Sequence, residues 1–328
     1  MIILTGAAGF IGSCMITELN NQGQNDIILV DDFSRPEKTI NYTGKKFREQ
    51  VDRQQFFEWI SKHTKEIDFV LHIGARTDTT EFNMAILDEL NLNYSKSVWK
   101  FCTEHHIPLI YASSAATYGD GSQGYRDDHD LSFRLQPLNP YGISKNEFDK
   151  WALKQYSTPP CWYGLKFFNV YGPNEYHKGR MASVVFHSFE QISRPSGQGG
   201  KEASVRLFMS HNPKYKDGEQ LRDFIYVKDV TDVIWFLMNH RKDSGIYNLG
   251  TGTARTFIDL VHAVFAALDR QPVIEFIPIP EDIREKYQYF TEAQMEKLFR
   301  IGCHKNYISL EAGIGEYVRE YLIRDRVL

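Results

Sequence analysis

The sequence predicts an α/β fold, a doubly wound parallel sheet with a second, smaller α/β lobe. Short apolar segments alternate with helix-length segments through the first half of the chain, as in a parallel sheet that is covered by helices on both faces. A glycine-rich turn follows the first apolar segment. The chain has 328 residues, more than one ordinary domain requires, so a second lobe is expected.

The predicted elements follow from the spacing of apolar residues. Strands are expected at 2–4, 27–30, 69–72, 109–113, 162–168, 223–227 and 246–250. Helices are expected at 9–19, 56–62 and 91–105. Two polar segments, 193–200 and 211–221, are predicted to be surface loops.

The glycine-rich turn predicts a dinucleotide-binding, Rossmann-like site. The segment TGAAGFIG (5–12) places Gly6, Gly9 and Gly12 between a strand and a helix, and Asp31 follows the next strand. Glycines let the backbone approach a pyrophosphate, the helix N-terminus offers N–H donors, and the acid can bind a ribose hydroxyl. Glycines also mark ordinary turns, but this order of strand, turn, helix, strand and acid favours the dinucleotide.

The residues after the second strand leave the choice of nicotinamide cofactor open. Asp31 and Asp32 favour NAD, whereas Arg35, Lys38 and Arg53 could bind the 2′-phosphate of NADP. Each of these cations could equally be a solvated surface charge. We expect NADP, with NAD as the alternative.

A second group of residues predicts acid–base chemistry. Tyr141 and Lys145 stand four positions apart after Pro140, hence on one face of the helix that this proline begins. An ammonium beside a phenol lowers the pKa of the phenol toward the range needed for proton transfer at an alcohol or carbonyl. Ser114, at the end of the fourth predicted strand, can hydrogen-bond the same substrate oxygen.

Composition excludes several classes of protein. The formal net charge of −4 gives no global attraction for nucleic acid or an anionic membrane. No apolar run approaches the roughly 18 residues of a membrane helix, and the first residues lack a signal-peptide pattern, so a cytoplasmic location is expected. The four cysteines form no CxxC pair, which argues against a metal site or a disulfide framework.

Three motifs resemble the extended short-chain dehydrogenase/reductase family, whose members mostly act on nucleotide sugars. They are TGAAGFIG, YASSAATYG (111–119) and PYGISK (140–145). Segments 75–81, 167–184, 222–230, 248–257 and 286–291 resemble one branch of that family, the epimerases of ADP-heptose. The most specific is FNVYGPNEYHKGRMASV, because other sugar epimerases share FNVYGP but not the HKG-MASV continuation.

This resemblance implies an isomerase that inverts carbon 6 of an ADP-heptose through a transient ketone, supplying heptose for the lipopolysaccharide inner core. It implies a homo-oligomer, such as a pentameric ring. The implied catalytic residues are Ser114, Tyr141, Lys145 and a second acid/base, Lys178. The implied cofactor-binding residues are Gly6, Gly9, Phe10, Ile11, Gly12, Asp31, Asp32, Lys38, Arg53, Ala75, Asn91, Lys145 and Val170. The implied substrate-binding residues are Asn169, Arg180, His187, Phe208, Arg222 and Tyr287.

The sequence departs from the family pattern at three of these positions. Asp32 stands where Asn is familiar, Arg53 where Lys is, and Arg180 where a small Ser is. The extra negative charge of Asp32 counts against NADP, and Arg180 could change how the heptose or its pyrophosphate sits. Without the resemblance, Lys178 would be read as an exposed loop lysine and Arg222 as part of a structural ion pair.

Two other functions fit parts of the pattern. One is a 4-epimerase, reductase or 4,6-dehydratase of another nucleotide sugar; a dehydratase carries an Asp-Glu pair where this chain has Ala115 and Ala116. The other is a catalytically silent dinucleotide-binding sensor, which would usually lack the Tyr and Lys.

The order of the elements predicts two lobes that interleave in sequence. The dinucleotide-binding lobe is expected to comprise residues 1–168 and about 223–250, and the substrate-binding lobe residues 169–222 and 251–328. Ligands of open parallel sheets bind beyond the carboxyl ends of the strands. We therefore expect the second lobe to cover that edge.

Overall fold

The computed structural model describes residues 1–78, 81–193, 203–284 and 287–328. Apart from Ser193, the loop predicted at 193–200 lies outside the described residues. The other predicted loop, 211–221, is irregular as far as residue 220, after which a strand begins.

The described strands are β1 (Ile2–Thr5), β2 (Ile27–Asp31), β3 (Glu49–Asp52), β4 (Phe69–His72), β5 (Leu109–Ser114), β6 (Trp162–Phe167), β7 (Asn169–Tyr171), β8 (Val205–Phe208), β9 (Leu221–Tyr226), β10 (Gly245–Leu249), β11 (Ala254–Thr256) and β12 (Ile274–Ile277). The described α-helices are α1 (Phe10–Asn21), α2 (Phe56–Ser61), α3 (Met84–Leu87), α4 (Tyr94–Glu104), α5 (His129–Ser132), α6 (Pro140–Leu153), α7 (Val184–Ser193), α8 (Val227–His240), α9 (Phe257–Ala267), α10 (Glu281–Arg284), α11 (Glu296–Arg300) and α12 (Leu310–Glu316). Short 3₁₀ segments include Ala115–Tyr118 and Tyr176–Met181, and the second is interrupted by a kink at Gly179.

The predicted parallel sheet is confirmed. Seven strands lie in the order β10-β6-β5-β4-β1-β2-β3, and each neighbouring pair is parallel. Every residue of β1, β2 and β4 is buried, because helices cover both faces and leave no polar face for alternation. Two apolar clusters, one on each face, hold the helices to the sheet.

The carboxyl ends of β1 and β4 lie side by side at the centre of this sheet. The chain leaves β1 for β2 on one side and reaches β4 on the other, so the loops that follow these strands diverge. A crevice forms at such a switch point. The crevice places the glycine-rich turn beside the loop after β4.

A third apolar cluster lies outside the large sheet. It is built around a three-stranded sheet, β11-β9-β7, and a two-stranded sheet, β12-β8, with α7, α9 and α12 packed together beside them. The segment predicted at 223–227 to be a strand is β9, and it pairs with β7 and β11 rather than with the large sheet. The helix that follows, α8, packs against α1, and β10 returns to the large sheet.

Other differences from the sequence prediction have simple physical causes. The edge strand β3 was not expected, because Glu49 and Gln50 are exposed and give it no apolar pattern. The helix expected from residue 91 begins as α4 at Tyr94, after a π-helical turn, Asp88–Asn93. That turn keeps Asn91 buried.

Three further observations concern the described ranges. None of their helices is long and apolar enough to cross a membrane. All four cysteines are buried and free. Within the same residues, no group of three or more His, Cys, Asp or Glu side chains is placed to hold a metal ion.

Candidate active site

A cavity of about 1060 Å³ opens at the carboxyl ends of the large-sheet strands. It is bounded by the β1–α1 turn, the ends of β4 and β5, the start of α6, and the 3₁₀ turn Tyr176–Met181. The predicted site residues that line it are Gly6, Gly9, Phe10, Ile11, Gly12, Asp31, Asp32, Lys38, Arg53, Ala75, Ser114, Tyr141, Lys145, Asn169, Val170 and Lys178. Those outside its lining are Asn91, Arg180, His187, Phe208, Arg222 and Tyr287.

The glycine-rich turn forms a cradle with no room for side chains. Gly6 has φ +69°, and a Cβ there would lie 2.5 Å from the Cα atom of Gly74. A Cβ on Gly12 would lie 2.1 Å from the carbonyl oxygen of Gly6. No side chain caps α1, so the N–H groups of its first turn have no side-chain competitor. These features fit the pyrophosphate of a dinucleotide.

Asp31 braces this cradle. Its carboxylate accepts hydrogen bonds from the backbone N–H of Ala8 (2.9 Å) and of Asp32 (2.7 Å), and it pairs with the Lys38 ammonium (2.9 Å). The next carboxylate, Asp32, accepts a hydrogen bond from Ser34 and lies 3.5 Å from Arg53. The Ser34 hydrogen bond, with help from Arg53 and Lys38, lowers the pKa of Asp32. Both carboxylates therefore have cationic partners.

Two buried polar residues hold the loop after β4. Asn91 accepts a hydrogen bond from the N–H of Arg76 (2.8 Å) and donates to the carbonyl of Arg76 (3.0 Å) and to Ser144 on α6 (3.1 Å). It thus positions the cavity wall from behind. His72, which the sequence analysis missed, lines the cavity between Thr5 (2.7 Å) and Ser95 (2.9 Å). Burial lowers the pKa of His72 to about 3.

Helix α6 brings Tyr141 and Lys145 to the cavity. Pro140 occupies the first position of this helix, as the sequence predicts. Asn139 caps the helix by accepting a hydrogen bond from the N–H of Gly142 (2.8 Å). Burial raises the pKa of the Tyr141 phenol, and a hydrogen bond with Ser114 offsets part of that rise. The sequence predicted that Lys145 would lower this pKa. The net shift is upward instead, because burial has the largest effect on the phenol.

The Lys145 ammonium is itself buried. It donates a hydrogen bond to the carbonyl oxygen of Ala112 at the end of β5 (2.9 Å). Burial lowers the pKa of Lys145 to about 8, and the Asp149 carboxylate opposes that change. Part of the Lys145 population can therefore be neutral near pH 8.

A buried ion pair lies behind Tyr141 and Lys145. Asp149 on α6 is 2.7 Å from Lys166 on β6, and the two side chains are 0% and 1% exposed. Asp149 also accepts hydrogen bonds from Ser113 (2.7 Å) and Tyr111 (3.1 Å) on β5. Lys166 donates to Thr117 (2.7 Å) on the turn after Ser114. The network joins α6, β5, β6 and that turn.

Lys178 reaches the same cavity from the 3₁₀ turn Tyr176–Met181. Its Nζ atom lies 5.2 Å from the centre of the Phe10 ring. Burial lowers the pKa of Lys178, and the negative charge of Glu175 opposes that change. The cavity thus holds two groups able to exchange protons, Tyr141 and Lys178, on separate elements.

Three of the remaining predicted substrate residues, Phe208, Arg222 and Tyr287, form a cluster beside the cavity. The Arg222 guanidinium lies between the rings of Phe257 (5.6 Å) and Tyr287 (5.4 Å), and Phe208 packs edge-on against Tyr287 (6.1 Å). Arg222 donates hydrogen bonds to the carbonyl oxygens of Leu221 and Gln288. Phe257 lines the cavity. The cluster therefore adjoins the cavity through Phe257.

Arg180 and His187 lie outside both groups. Arg180 is 67% exposed and 3.6 Å from Asp78. His187 contacts the Arg180 carbonyl oxygen at 3.4 Å. The backbone kinks at Gly179 (φ 53°). That kink separates Arg180 from the cavity wall to which Lys178 belongs.

Comparisons with known proteins agree with this geometry. Residues 2–250 match the model of the NAD dependent epimerase/dehydratase family. The chain is 46% identical to the ADP-L-glycero-D-manno-heptose-6-epimerase of Fusobacterium nucleatum, over 99% of both chains, and 48% identical to that of Nitratidesulfovibrio vulgaris, over 98% of both. The crystal structure of ADP-L-glycero-D-manno-heptose-6-epimerase from Helicobacter pylori aligns with a TM-score of 0.79 and 26% identity, over 97% of this chain and 95% of that one.

Proposed function

This chain belongs to the NAD dependent epimerase/dehydratase family, and we propose that it inverts carbon 6 of ADP-D-glycero-β-D-manno-heptose to give the L-glycero epimer. The observation that carries this proposal is one cavity that holds a dinucleotide cradle and two separate acid/base candidates, Tyr141 and Lys178. The relatives at 46% and 48% identity bear the name of the same activity. The product would supply heptose for lipopolysaccharide.

The C–H bond at carbon 6 is not acidic, because no carbonyl group adjoins this carbinol carbon, so inversion by simple proton removal is unfavourable. A bound nicotinamide cofactor supplies a hydride acceptor for carbon 6 and a hydride donor to the opposite face of the resulting ketone. The sugar must turn over between the two steps. Its oxygen therefore meets one protein group before the turn and another after it.

Tyr141 is the first of these groups. It exchanges the hydroxyl proton of one epimer, with Ser114 as a hydrogen-bond partner of the phenol. Ser114 is held in place because its Oγ atom accepts a hydrogen bond from the N–H of Ala116 (3.1 Å). Lys145 provides a buried ammonium one helical turn away, which favours the phenolate form when Tyr141 gives up its proton.

Lys178 is the second group. Its lowered pKa brings the ammonium closer to the working range of an acid/base. In one direction of the reaction neutral Lys178 takes the proton, and in the other its ammonium returns it. A single base could serve both epimers only if the sugar oxygen returned to the same place after the turn.

We propose NADP as the preferred nicotinamide cofactor. Lys38 pairs with Asp31, and Arg53 pairs with Asp32. The two cations therefore offset the repulsion that the carboxylates would exert on a 2′-phosphate. Arg35 also lines this end of the cavity. Competition between NADP and NAD for the chain freed of nucleotide tests this choice. Tenfold tighter binding of NAD would overturn it.

The cluster of Phe208, Arg222 and Tyr287 is our proposed site for the ADP part of the substrate. Its rings can stack on a base, and its guanidinium can pair with the pyrophosphate. We retain residues 1–168 with 223–250, and 169–222 with 251–328, as the proposed cofactor and substrate lobes. A homo-oligomeric ring and a cytoplasmic location, which suits the four free thiols, complete the proposal.

The test is direct. The purified chain is expected to retain a nicotinamide nucleotide, and ADP-D,D-heptose added to it should convert to a mixture of epimers that chromatography resolves. The Tyr141→Phe variant is the matched control, because it removes one hydroxyl and no other atom. No change in the epimer ratio with the unmodified, nucleotide-loaded chain would refute the proposal.

A further inference from the structure

The Glu175 carboxylate links the two ends of the segment that carries Lys178. Its side chain is fully buried. The carboxylate accepts hydrogen bonds from the N–H of Gly172 (3.4 Å), the N–H of Ser183 (2.5 Å) and the hydroxyl of Ser183 (2.7 Å). It therefore links the residues at the two ends of 172–183, and the 3₁₀ turn with Lys178 lies between them.

The backbone at this place needs such support. Asn174, next to Glu175, has φ 76°, and Gly179, next to Lys178, has φ 53°. The first value is costly for a residue with a Cβ. Side-chain hydrogen bonds stabilise it, since Asn174 donates to Ser13 (2.9 Å) and Asn41 donates to the Asn174 carbonyl (3.3 Å). The segment is thus held in one unusual conformation.

The charges of Glu175 and Lys178 also act on each other. Burial raises the pKa of Glu175 and lowers that of Lys178, and each group opposes the shift of the other. His177 faces Lys178, and burial lowers the pKa of His177 to about 4. Cys14 on α1, Tyr176 and Tyr317 face Glu175, and burial raises the pKa of each of them, that of Cys14 to about 12. Other charges act on these neighbours: Arg35, Lys38 and Asp31 on His177, and Lys45 and Lys228 on Cys14. Among the described residues, the charge that acts on the pKa of Lys178 is that of Glu175.

We propose that Glu175 is the positioning residue of the second acid/base: it fixes the Lys178 segment through Gly172 and Ser183 and places a buried carboxylate in the same segment as the Lys178 ammonium. This inference rests on the proposed function for its catalytic meaning. The physical coupling of Glu175 to Lys178 does not depend on the substrate. Two measurements can therefore separate the two claims.

The first measurement is the titration of Lys178 itself. Lysines of the cofactor-loaded chain are reductively methylated with ¹³C-formaldehyde and followed by NMR, and Lys178→Met identifies the signal. In Glu175→Gln the side chain keeps its size but loses its charge, so Lys178 should lose its proton at lower pH. Asp149→Asn is the matched control, because it neutralises another buried carboxylate, behind Tyr141; it should leave the Lys178 titration in place.

The second measurement is the pH dependence of kcat for epimerisation in both directions. Glu175→Gln should shift one limb of the kcat–pH profile to lower pH. In the reaction direction in which Lys178 takes the proton, the acidic limb should shift. In the direction in which Lys178 gives the proton, the basic limb should shift. Asp149→Asn should move the other limb. Glu175→Asp, which keeps the charge but is too short to link Gly172 and Ser183, should restore the titration of Lys178 and still have a reduced kcat.

The outcomes are distinct. An unchanged Lys178 titration in Glu175→Gln would overturn the inference even if epimerisation is found. A shifted titration in a chain that does not epimerise ADP-heptose would support the coupling and refute the proposed function. If Glu175→Gln does not fold, Glu175→Asp becomes the decisive variant. A wild-type kcat in Glu175→Asp would overturn the positioning role. A reduced kcat together with an unchanged Lys178 titration would support it.

Discussion

Tyr141 and Lys178 line one cavity but are supported in different ways. Tyr141 stands on a fourteen-residue helix that the Asp149–Lys166 pair ties to two strands of the large sheet and to the turn after Ser114. Lys178 stands on a short, kinked 3₁₀ segment. Glu175, which directly precedes that segment, accepts the hydrogen bonds that link its two ends and opposes the effect of burial on the pKa of Lys178. One support is distributed over several elements, and the other is local.

This difference shows how one site can hold two acid/base groups that are tuned independently. A change to the sheet network alters the surroundings of Tyr141 and Lys145, whereas a change at Glu175 alters those of Lys178. The comparison would fail if substitutions in one support moved the chemistry of both groups equally.

The largest expected effect on stability is in the distributed support. Lys166→Met leaves the Asp149 carboxylate buried without a cation, which should lower the free energy of unfolding by about 3–5 kcal/mol. Denaturation in urea measures it. The double variant Lys166→Met/Asp149→Leu is the control and should recover most of the loss, since it removes both charges. A single variant as stable as wild type would show that the pair does not hold the helix to the sheet.

Acid should destabilise the folded chain, because burial lowers the pKa of two histidines that line the cavity, the buried His72 and the half-buried His177. The pKa of His72 in the folded chain is about 3, below that of an unfolded histidine, so the unfolded state binds the proton first and stability falls as the pH drops from about 6.5 toward 3. His72→Asn should reduce this slope by about 1.4 kcal/mol per pH unit between these limits.

Urea unfolding at several pH values checks this prediction. The exposed His105→Asn is the matched control. His177→Asn should reduce the slope in the same direction, because burial also lowers the pKa of His177, to about 4. A slope that His72→Asn leaves unchanged would contradict the depressed pKa of His72.

The smallest effect is expected at the exposed end of the Lys178 segment. Arg180→Ser removes the ion pair with Asp78, which is solvent-exposed on the arginine side and is worth about 0–1 kcal/mol. The KM for ADP-heptose should change less than about fivefold, and the change should shrink as salt increases. A large fall in kcat would instead place Arg180 in the chemistry, contrary to its position outside the cavity lining.

Sequence reasoning predicted the large sheet because its signals are local. Apolar runs, the glycine turn and the helix start at Pro140 each depend on neighbouring residues, and each has its expected structure. The pairing of β9 with β7 and β11 depends on contacts between distant segments, which periodicity does not encode. The edge strand β3 was missed because its exposed face is polar.

The same limit applies to the candidate site. The motif residues that reach the cavity could be chosen from spacing and resemblance, but their roles remain predictions. Asp149 and Lys166 are seventeen positions apart, and nothing in either local pattern marks them as partners. Glu175 lies inside the most specific motif, but the sequence gives no reason to single it out from the other residues of that motif. Its contacts with Gly172 and Ser183 are visible only in the structure. The pKa of Tyr141 was predicted with the wrong sign because burial cannot be read from a four-residue spacing.

The central claim is that two acid/base groups serve the two epimers, and one comparison tests it most directly. Rates of epimerisation are measured from each heptose isomer for Tyr141→Phe and Lys178→Met, with bound nicotinamide nucleotide quantified in both. Each variant should lose about 10²- to 10⁴-fold in kcat in both directions and keep its cofactor. Rates near wild type for Lys178→Met from both isomers would contradict the claim and leave Tyr141 as the single base.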